Sequence, residues 1–212
     1  MRKIIFATGN LHKLQEAQEI LGPDYELVTP ASLGITEDIP ETSPTIKGNS
    51  IQKAQYVFER TGLDCFADDT GLEVDALGGA PGVHSARYAQ EIALRDGLPA
   101  RPDHDFGANI ETLLSELSAC GAPEPHTARF RSVITLILDG EMHFFEGVMQ
   151  GRISLQKAGC GGFGYDPVFI SDAYPDRTVA ELPCGAKNEI SHRGKALREM
   201  AAWLGENDTE NP

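Results

Sequence analysis

Apolar residues recur along this chain with two different periods, and the switches between them mark its elements. Lys3 to Ala7 (KIIFA) is a short apolar run that predicts a buried strand. Leu11, Leu14, Ala17 and Leu21 then repeat at helical spacing, with Asn10 as a natural N-cap and Gly22-Pro23 as a stop. Tyr25 to Thr29 predicts a second strand, and Pro30 to Ser43 reads as a loop rich in proline and acids. A helix is expected from Pro44 to Thr61, capped by Ser43, with Pro44 at its first position and Ile51, Ala54, Val57 and Phe58 as its buried stripe. Cys65 opens a short strand that should end in Asp68-Asp69 and turn at Thr70-Gly71. Gly78-Gly79-Ala80-Pro81-Gly82 forces a loop, and Arg87 follows it as a fixed cation.

Downstream, Ala89 to Asp105 is polar, holds two prolines and reads as a surface excursion. Helical spacing resumes from Asn109 to Ala119 through Ile110, Leu113, Leu114 and Leu117. Arg129 to Leu138 and Glu141 to Met149 are strongly β and are joined by Asp139-Gly140, a hairpin signal. Val168 to Ile170 predicts another short strand, and a last helix is expected from Asn188 to Leu204. The pattern describes one mixed α/β domain over residues 1–205, with an acidic, frayed tail at residues 206–212.

Composition narrows what such a domain does. Eighteen Lys and Arg stand against 32 Asp and Glu, for a net charge of −14. That surface repels nucleic-acid backbones and anionic membranes, so neither is expected as a partner. An anionic small substrate would need a local cluster of cations, or a metal. The four cysteines form no C-x-x-C pair, which argues against a zinc site or a disulfide framework. The apolar run after Met1-Arg2-Lys3 is too short for a signal peptide, and no later run reaches membrane-span length, so a cytoplasmic location is expected.

Four places carry candidate chemistry. Asp68 and Asp69 offer the oxygen ligands that a hard dication such as Mg²⁺ takes, although solvated acids in a turn would look the same. Thr8-Gly9-Asn10-Leu11-His12-Lys13 joins a strand to a helix start, where free backbone N–H groups and the helix dipole favour an anion; taken alone, plain N-capping is the better account of it. Asn49 and Lys53 share a helix face beyond Glu41-Thr42, either as a solvated surface or with Glu41 on a metal and Lys53 on a phosphate. Gly159-Cys160-Gly161-Gly162-Phe163-Gly164 matches G-x-G-x-x-G, but Tyr165-Asp166-Pro167 leads on into a strand rather than a helix, which rules out a dinucleotide loop. It offers instead close backbone approach, with Phe163 or Tyr165 available to stack on a base.

Taken in order, these pieces resemble the inosine triphosphate pyrophosphatase family. The matching segments are ATGNLHK (Ala7 to Lys13), Glu41-Thr42, Asn49 with Lys53-Ala54, Ala67 to Tyr88, GGFGYDPVF (Gly161 to Phe169), AEL (Ala180 to Leu182) and KNEISHRGKAL (Lys187 to Leu197). Each alone is weak; their recurrence in sequence over nearly the whole chain is specific. The resemblance implies an elongated mixed sheet flanked by helices, two lobes around a cleft, and a homodimer. It implies Mg²⁺-dependent hydrolysis of deaminated purine nucleoside triphosphates to the monophosphate and pyrophosphate. It assigns catalysis to Asp69 and Lys53, the metal to Glu41, Asp69 and Asp68, and substrate contacts to Thr8, Gly9, Asn10, Leu11, His12, Lys13, Thr70, Phe163, Gly164, Tyr165, Asp166, Lys187, His192 and Arg193. Arg193 or His192 would donate to the oxygen at C6 of the base. Gly48 and Ser50 depart from the family, which usually has Glu and Ala there.

Two rivals deserve comparison. A phosphatase working through an aspartyl-phosphate needs Asp-x-Asp, whereas Asp68 and Asp69 are adjacent. A nucleotide-binding regulatory module would keep the cations and lose the metal acids, yet both sets are present.

Overall fold

The computed structural model describes residues 2–208, without the side chains of His12, Cys184 and Asp208. Seven strands form one mixed sheet: β1 (Arg2–Phe6), β2 (Tyr25–Val28), β3 (Cys65–Val74), β4 (Pro81–Gly82), β5 (His126–Leu138), β6 (Glu141–Ile153) and β7 (Phe169–Ser171). Their order is β2-β1-β3-β5-β6-β7, with β4 pairing on β3. β1 lies parallel to both β2 and β3, while β4 and β7 run antiparallel to their neighbours. Among the described residues, six α-helices accompany the sheet: α1 (Leu11–Leu21), α2 (Ile46–Thr61), α3 (Tyr88–Arg95), α4 (Phe106–Cys120), α5 (Cys184–Ile190) and α6 (His192–Asp208). The α/β class expected from the sequence is therefore the one observed.

The chain divides into two compact units, one of residues 1–69, 132–147 and 192–212, the other of residues 70–131 and 148–191. The first has two apolar cores. Phe6, Phe66, Ile134, Leu136, Leu197 and Met200 belong to one, and Ile5, Ala7, Ala54, Val57, Cys65 and Ala67 to the other. Phe6 and Phe66 are register partners on β1 and β3 and stack with centroids 4.2 Å apart. Burying each is worth about 1.5–3 kcal/mol. The second unit's core gathers Leu72, Val74, Leu113, Leu117, Phe130, Met149, Val168 and Phe169.

Several expectations change in the structure. β3 does not stop at the acids but runs ten residues straight through them, because Leu72 and Val74 continue its buried pattern and β4 gives it a partner. Ala89 to Asp105 is not wholly irregular: α3 occupies its beginning, with Ala89 and Ala93 buried. α2 starts at Ile46 rather than Pro44, since Thr45 supplies the cap by accepting from the Gly48 N–H. The single last helix is two, separated at Ser191, whose extended backbone ends α5. α6 continues to Asp208, so part of the expected tail is helical; residues 209–212 lie outside the described residues. Leu11 opens α1 but is 71% exposed, so it does not belong to the apolar stripe.

Candidate functional site

The pleat of β3 decides what its two acids do. Side chains alternate between the faces of a strand. Cys65 and Ala67 pack in the core that includes Ala54 and Val57 of α2, so Asp69 falls on that face. Phe66 packs in the core shared with α1 and α6, so Asp68 faces those helices. Adjacent carboxylates thus point apart, each into its own set of cations.

On the α2 side, Asn49 and Lys53 are buried one helical turn apart. The Lys53 ammonium donates to Asp69 Oδ1 at 2.9 Å and to Glu41 Oε1 at 2.8 Å, bridging the two carboxylates. Asn49 Nδ2 reaches Asp69 Oδ2 at 3.5 Å, and its Oδ1 accepts from the Ser43 N–H, tying the loop before α2 to the acid. Burial raises the Asp69 pKa above the ordinary carboxylate value, despite the opposing pull of Lys53. Burial would lower the Lys53 pKa, but Asp69, Asp68 and Glu41 outweigh it and the amine's value rises.

On the other side, Lys13 Nζ lies 3.0 Å from both oxygens of Asp68, and Arg193 Nε donates to Asp68 Oδ2 at 2.9 Å. Arg193 Nη1 reaches Glu16 Oε2 at 3.3 Å, one turn along α1 from Lys13. Burial alone would raise the Asp68 pKa, yet Lys13, Arg193 and Lys53 together hold it well below the usual carboxylate range. The Lys13 pKa is lowered by burial and by its two cationic neighbours, against the pull of Asp68. The start of α6 is set by Gly147 on β6: a Cβ there would overlap the His192 carbonyl and come within 2.7 Å of the Ala196 nitrogen. That close approach fixes Arg193 over the strand.

Glu41 and Asp69 are the pair suited to a dication. Both offer hard oxygen donors, and an ammonium already sits between them as a stand-in for positive charge. Asp68 differs, because its oxygens are engaged by Lys13 and Arg193. No three His, Cys, Asp or Glu side chains converge as a metal cage among the described residues. Two carboxylates are a normal protein contribution to Mg²⁺, with substrate phosphates and water completing the shell.

The turn before α1 is an N-cap in form: Thr8 Oγ1 accepts from the Asn10 N–H at 3.1 Å and Asn10 Oδ1 from the Lys13 N–H at 3.3 Å. Gly9, Asn10 and Leu11 are exposed, and the expectation for His12 concerns a side chain outside those described. Gly48 has a local reason: a Cβ would overlap Ser43 Oγ and lie 2.8 Å from Thr45 Oγ1. The Ser50 hydroxyl is satisfied by the Ala67 carbonyl at 3.0 Å and Thr135 Oγ1 at 2.8 Å.

The second unit carries the glycine-rich loop. Gly159, Gly162 and Gly164 take positive φ (77°, 73° and 62°), and a Cβ at Gly162 would also overlap Asp166 Oδ2. The buried Asp166 carboxylate organises the turn, accepting from the Phe163 N–H at 2.9 Å and from Lys187 Nζ at 2.5 Å. Tyr165 is buried, with its hydroxyl donating to the Ser85 carbonyl at 2.9 Å, so it offers no open face for stacking. Phe163 is the exposed ring of this loop, at 59% exposure, with Lys187 Nζ 4.6 Å from its ring centroid. Thr70 begins this unit directly after Asp69 and is half-buried. Among groups that sequence reasoning missed, Glu16 on Arg193 has the clearest signal, because it lies three residues after Lys13 and so shares its helix face.

The sequence model of the Ham1 family matches residues 4–203. A dITP/XTP pyrophosphatase of Porphyromonas gingivalis is 49% identical over 96% of this chain and 98% of its own length. One from Bacillus subtilis is 42% identical with the same coverages, 96% and 98%. A solved HAM1 protein of Coxiella burnetii superposes with a TM-score of 0.86 at 36% identity, over 97% of this chain and 100% of that one.

Proposed function

From the premise that the chain belongs to the Ham1 family, we propose that it hydrolyses deaminated purine nucleoside triphosphates (dITP, ITP and XTP) to the monophosphate and pyrophosphate. The observation that carries this reading is the Lys53 ammonium bridging Glu41 and Asp69, beside a buried Asp68 neutralised by Lys13 and Arg193. A triphosphate approaching a protein of net charge −14 needs local positive charge; here three fixed cations stand against four carboxylates, so a dication is needed to turn the local balance positive. Glu41 and Asp69 would hold Mg²⁺, which when bound would neutralise charge on the phosphates.

The remaining roles belong to the chain itself. Asp69, with its raised pKa, accepts the proton of the attacking water. Lys53 and Lys13 carry their charge on buried or half-buried stems and meet phosphate oxygens as fixed donors, needing little reorganisation. Phe163 stacks on the purine, held by the Asp166–Lys187 pair. Arg193, oriented by Asp68 and Glu16, donates to the oxygen at C6. Adenine offers an amino donor at that position and would leave the guanidinium N–H that faces the base without an acceptor, a mismatch able to discriminate by about 10⁴-fold. Such an activity, acting in the cytoplasm as a homodimer, would keep deaminated purines out of DNA and RNA.

A substrate panel tests this. The protein is incubated with dITP, ITP, XTP and the four ordinary triphosphates, with and without Mg²⁺, and the products are identified. Pyrophosphate with dIMP, IMP or XMP, dependent on Mg²⁺, is the expected result. Release of orthophosphate, or equal turnover of ATP and dITP, would refute the reading.

A further inference from the structure

Phe106 is the first residue of α4, and nothing in the second unit's core requires it. The buried face of that helix is made by Ala108, Asn109, Ile110, Leu113 and Leu117, whereas Phe106 is 39% exposed. Its position is nevertheless fixed. Asp105 caps the helix by accepting from the Ala108 N–H at 3.0 Å. Asn109 then pins the first turn, accepting from the Ala89 N–H at 2.8 Å and donating to the Ala86 carbonyl at 3.0 Å. A large ring is thus presented to solvent from a rigid helix start.

That ring has aromatic company. Its centroid lies 6.2 Å from that of Phe163, with the planes 45° apart, and 6.2 Å from the His104 ring in an edge arrangement. Both separations fall in the range where aromatic pairs attract beyond their area burial. Phe163 itself sits in a loop whose glycines permit several backbone shapes and whose N–H is tied down by Asp166. Lys187 reaches the ring from one element and Phe106 from another, so this exposed side chain is held from two sides. An exposed ring free to change rotamer would lose entropy on stacking against a ligand; one already propped would lose less.

We propose that Phe106 is a positioning residue for purine binding, holding the Phe163 ring in its stacking orientation. This rests on the nucleotide reading above and extends it to a residue outside the segments that carry the family resemblance. Phe106 acts through Phe163, and its effect falls on affinity for the base rather than on the chemical step.

The experiment compares Phe106→Ala, Phe106→Leu and Phe106→Tyr with the parent protein, using kcat and KM for dITP and calorimetric affinities for dIMP and inorganic tripolyphosphate. Phe106→Ala is expected to raise KM for dITP and weaken dIMP by about 2- to 12-fold, the span of an aromatic pair. kcat should stay within about two-fold and tripolyphosphate affinity should not move, because neither depends on stacking. Phe106→Tyr restores parental values, and Phe106→Leu, which keeps bulk but not the ring, does not. Parental KM and dIMP affinity in Phe106→Ala, full rescue by leucine, or an equal loss for tripolyphosphate would each overturn the proposal. If the parent protein fails to cleave dITP, the activity proposed above fails instead, and the dIMP affinities still decide whether Phe106 supports purine binding.

Discussion

The acidic cluster of the first unit and the glycine-rich loop of the second solve opposite problems. Around β3, four carboxylates (Glu16, Glu41, Asp68, Asp69) meet three cations (Lys13, Lys53, Arg193), and most of these groups are buried. Apart from Glu41, which a loop carries, their positions follow from the pleat of one strand and the faces of three helices, so they are fixed before any ligand arrives. In the loop, one buried carboxylate, Asp166, holds the backbone in shape while the ring of Phe163 remains outside. Charge is preorganised in the first region and contact surface is displayed in the second. Polyanion chemistry benefits from the former, since fixed charges cost no reorganisation; a base needs the latter, since stacking requires an open face.

Removing one acceptor from the rigid region should produce the largest effect. Asp69→Asn keeps the shape of the side chain but cannot take a proton, and it leaves Lys53 paired with Glu41. Turnover is expected to fall by about 10²- to 10⁴-fold with the circular dichroism spectrum unchanged. A residual rate above a tenth of the parent's moves the base elsewhere. The parent also has a pH signature. Asp69 acts only when ionised; burial raises its pKa, whereas a dication held with Glu41 would lower it, so raising the Mg²⁺ concentration should move the acid limb of kcat/KM to lower pH. That limb should disappear from the residual activity of the variant.

The next test contrasts the two regions through the same substitution. Asp68→Asn strands Lys13 and Arg193 against each other in a buried setting, at an expected cost of about 3–5 kcal/mol in urea unfolding. Asp166→Asn should cost less, by at least about 1 kcal/mol, because it leaves one cation, Lys187, without its carboxylate rather than two. The pH dependence follows from sign. The folded pKa of Asp68 is depressed, so its contribution is complete above the unfolded value near 3.9 and fades as pH falls through the lower folded value. The stability gap between parent and Asp68→Asn should therefore hold constant down to about pH 4 and narrow only below it. A gap already closing at pH 6 would mean that Asp68 is not the acid buried between those cations.

Much of this contrast was legible in the residues and part was not. Helical spacing identified α1 and α2, and Asp139-Gly140 identified the β5–β6 turn, where both residues do take positive φ. The G-x-G-x-x-G match was correctly denied a Rossmann role, since Phe169 opens a strand beyond it. The pairing of Lys53 with Glu41 and Asp69 could be anticipated only as a set, because the loop from Pro30 to Ser43 has no periodicity that aims Glu41. The separate fates of Asp68 and Asp69 needed the strand to continue past Thr70, and a Thr-Gly pair reads locally as a turn. Tyr165 and Phe163 were indistinguishable as stacking rings, because burial of a loop tyrosine depends on a remote carbonyl, here Ser85.

Two thiols report on the same contrast with no demand on activity. Cys65 begins β3 in the first unit, buried, with Sγ donating to the Ala54 carbonyl at 3.3 Å. Burial, and secondarily the charge of Asp64, pushes its pKa up to about 12. Cys160 sits exposed in the glycine-rich loop. Alkylation requires thiolate and access, and at pH 8 a thiol with a pKa of about 12 is ionised in only about one molecule in 10⁴. Peptide mapping after iodoacetamide treatment at pH 8 should find Cys160 labelled at least about 10²-fold faster than Cys65, with the difference abolished in urea. Equal labelling in the folded protein would show that the strand carrying Asp68 and Asp69 opens to solvent as readily as the loop. The preorganised half of the contrast would then be gone, because carboxylates that rehydrate that easily cannot hold shifted pKa values.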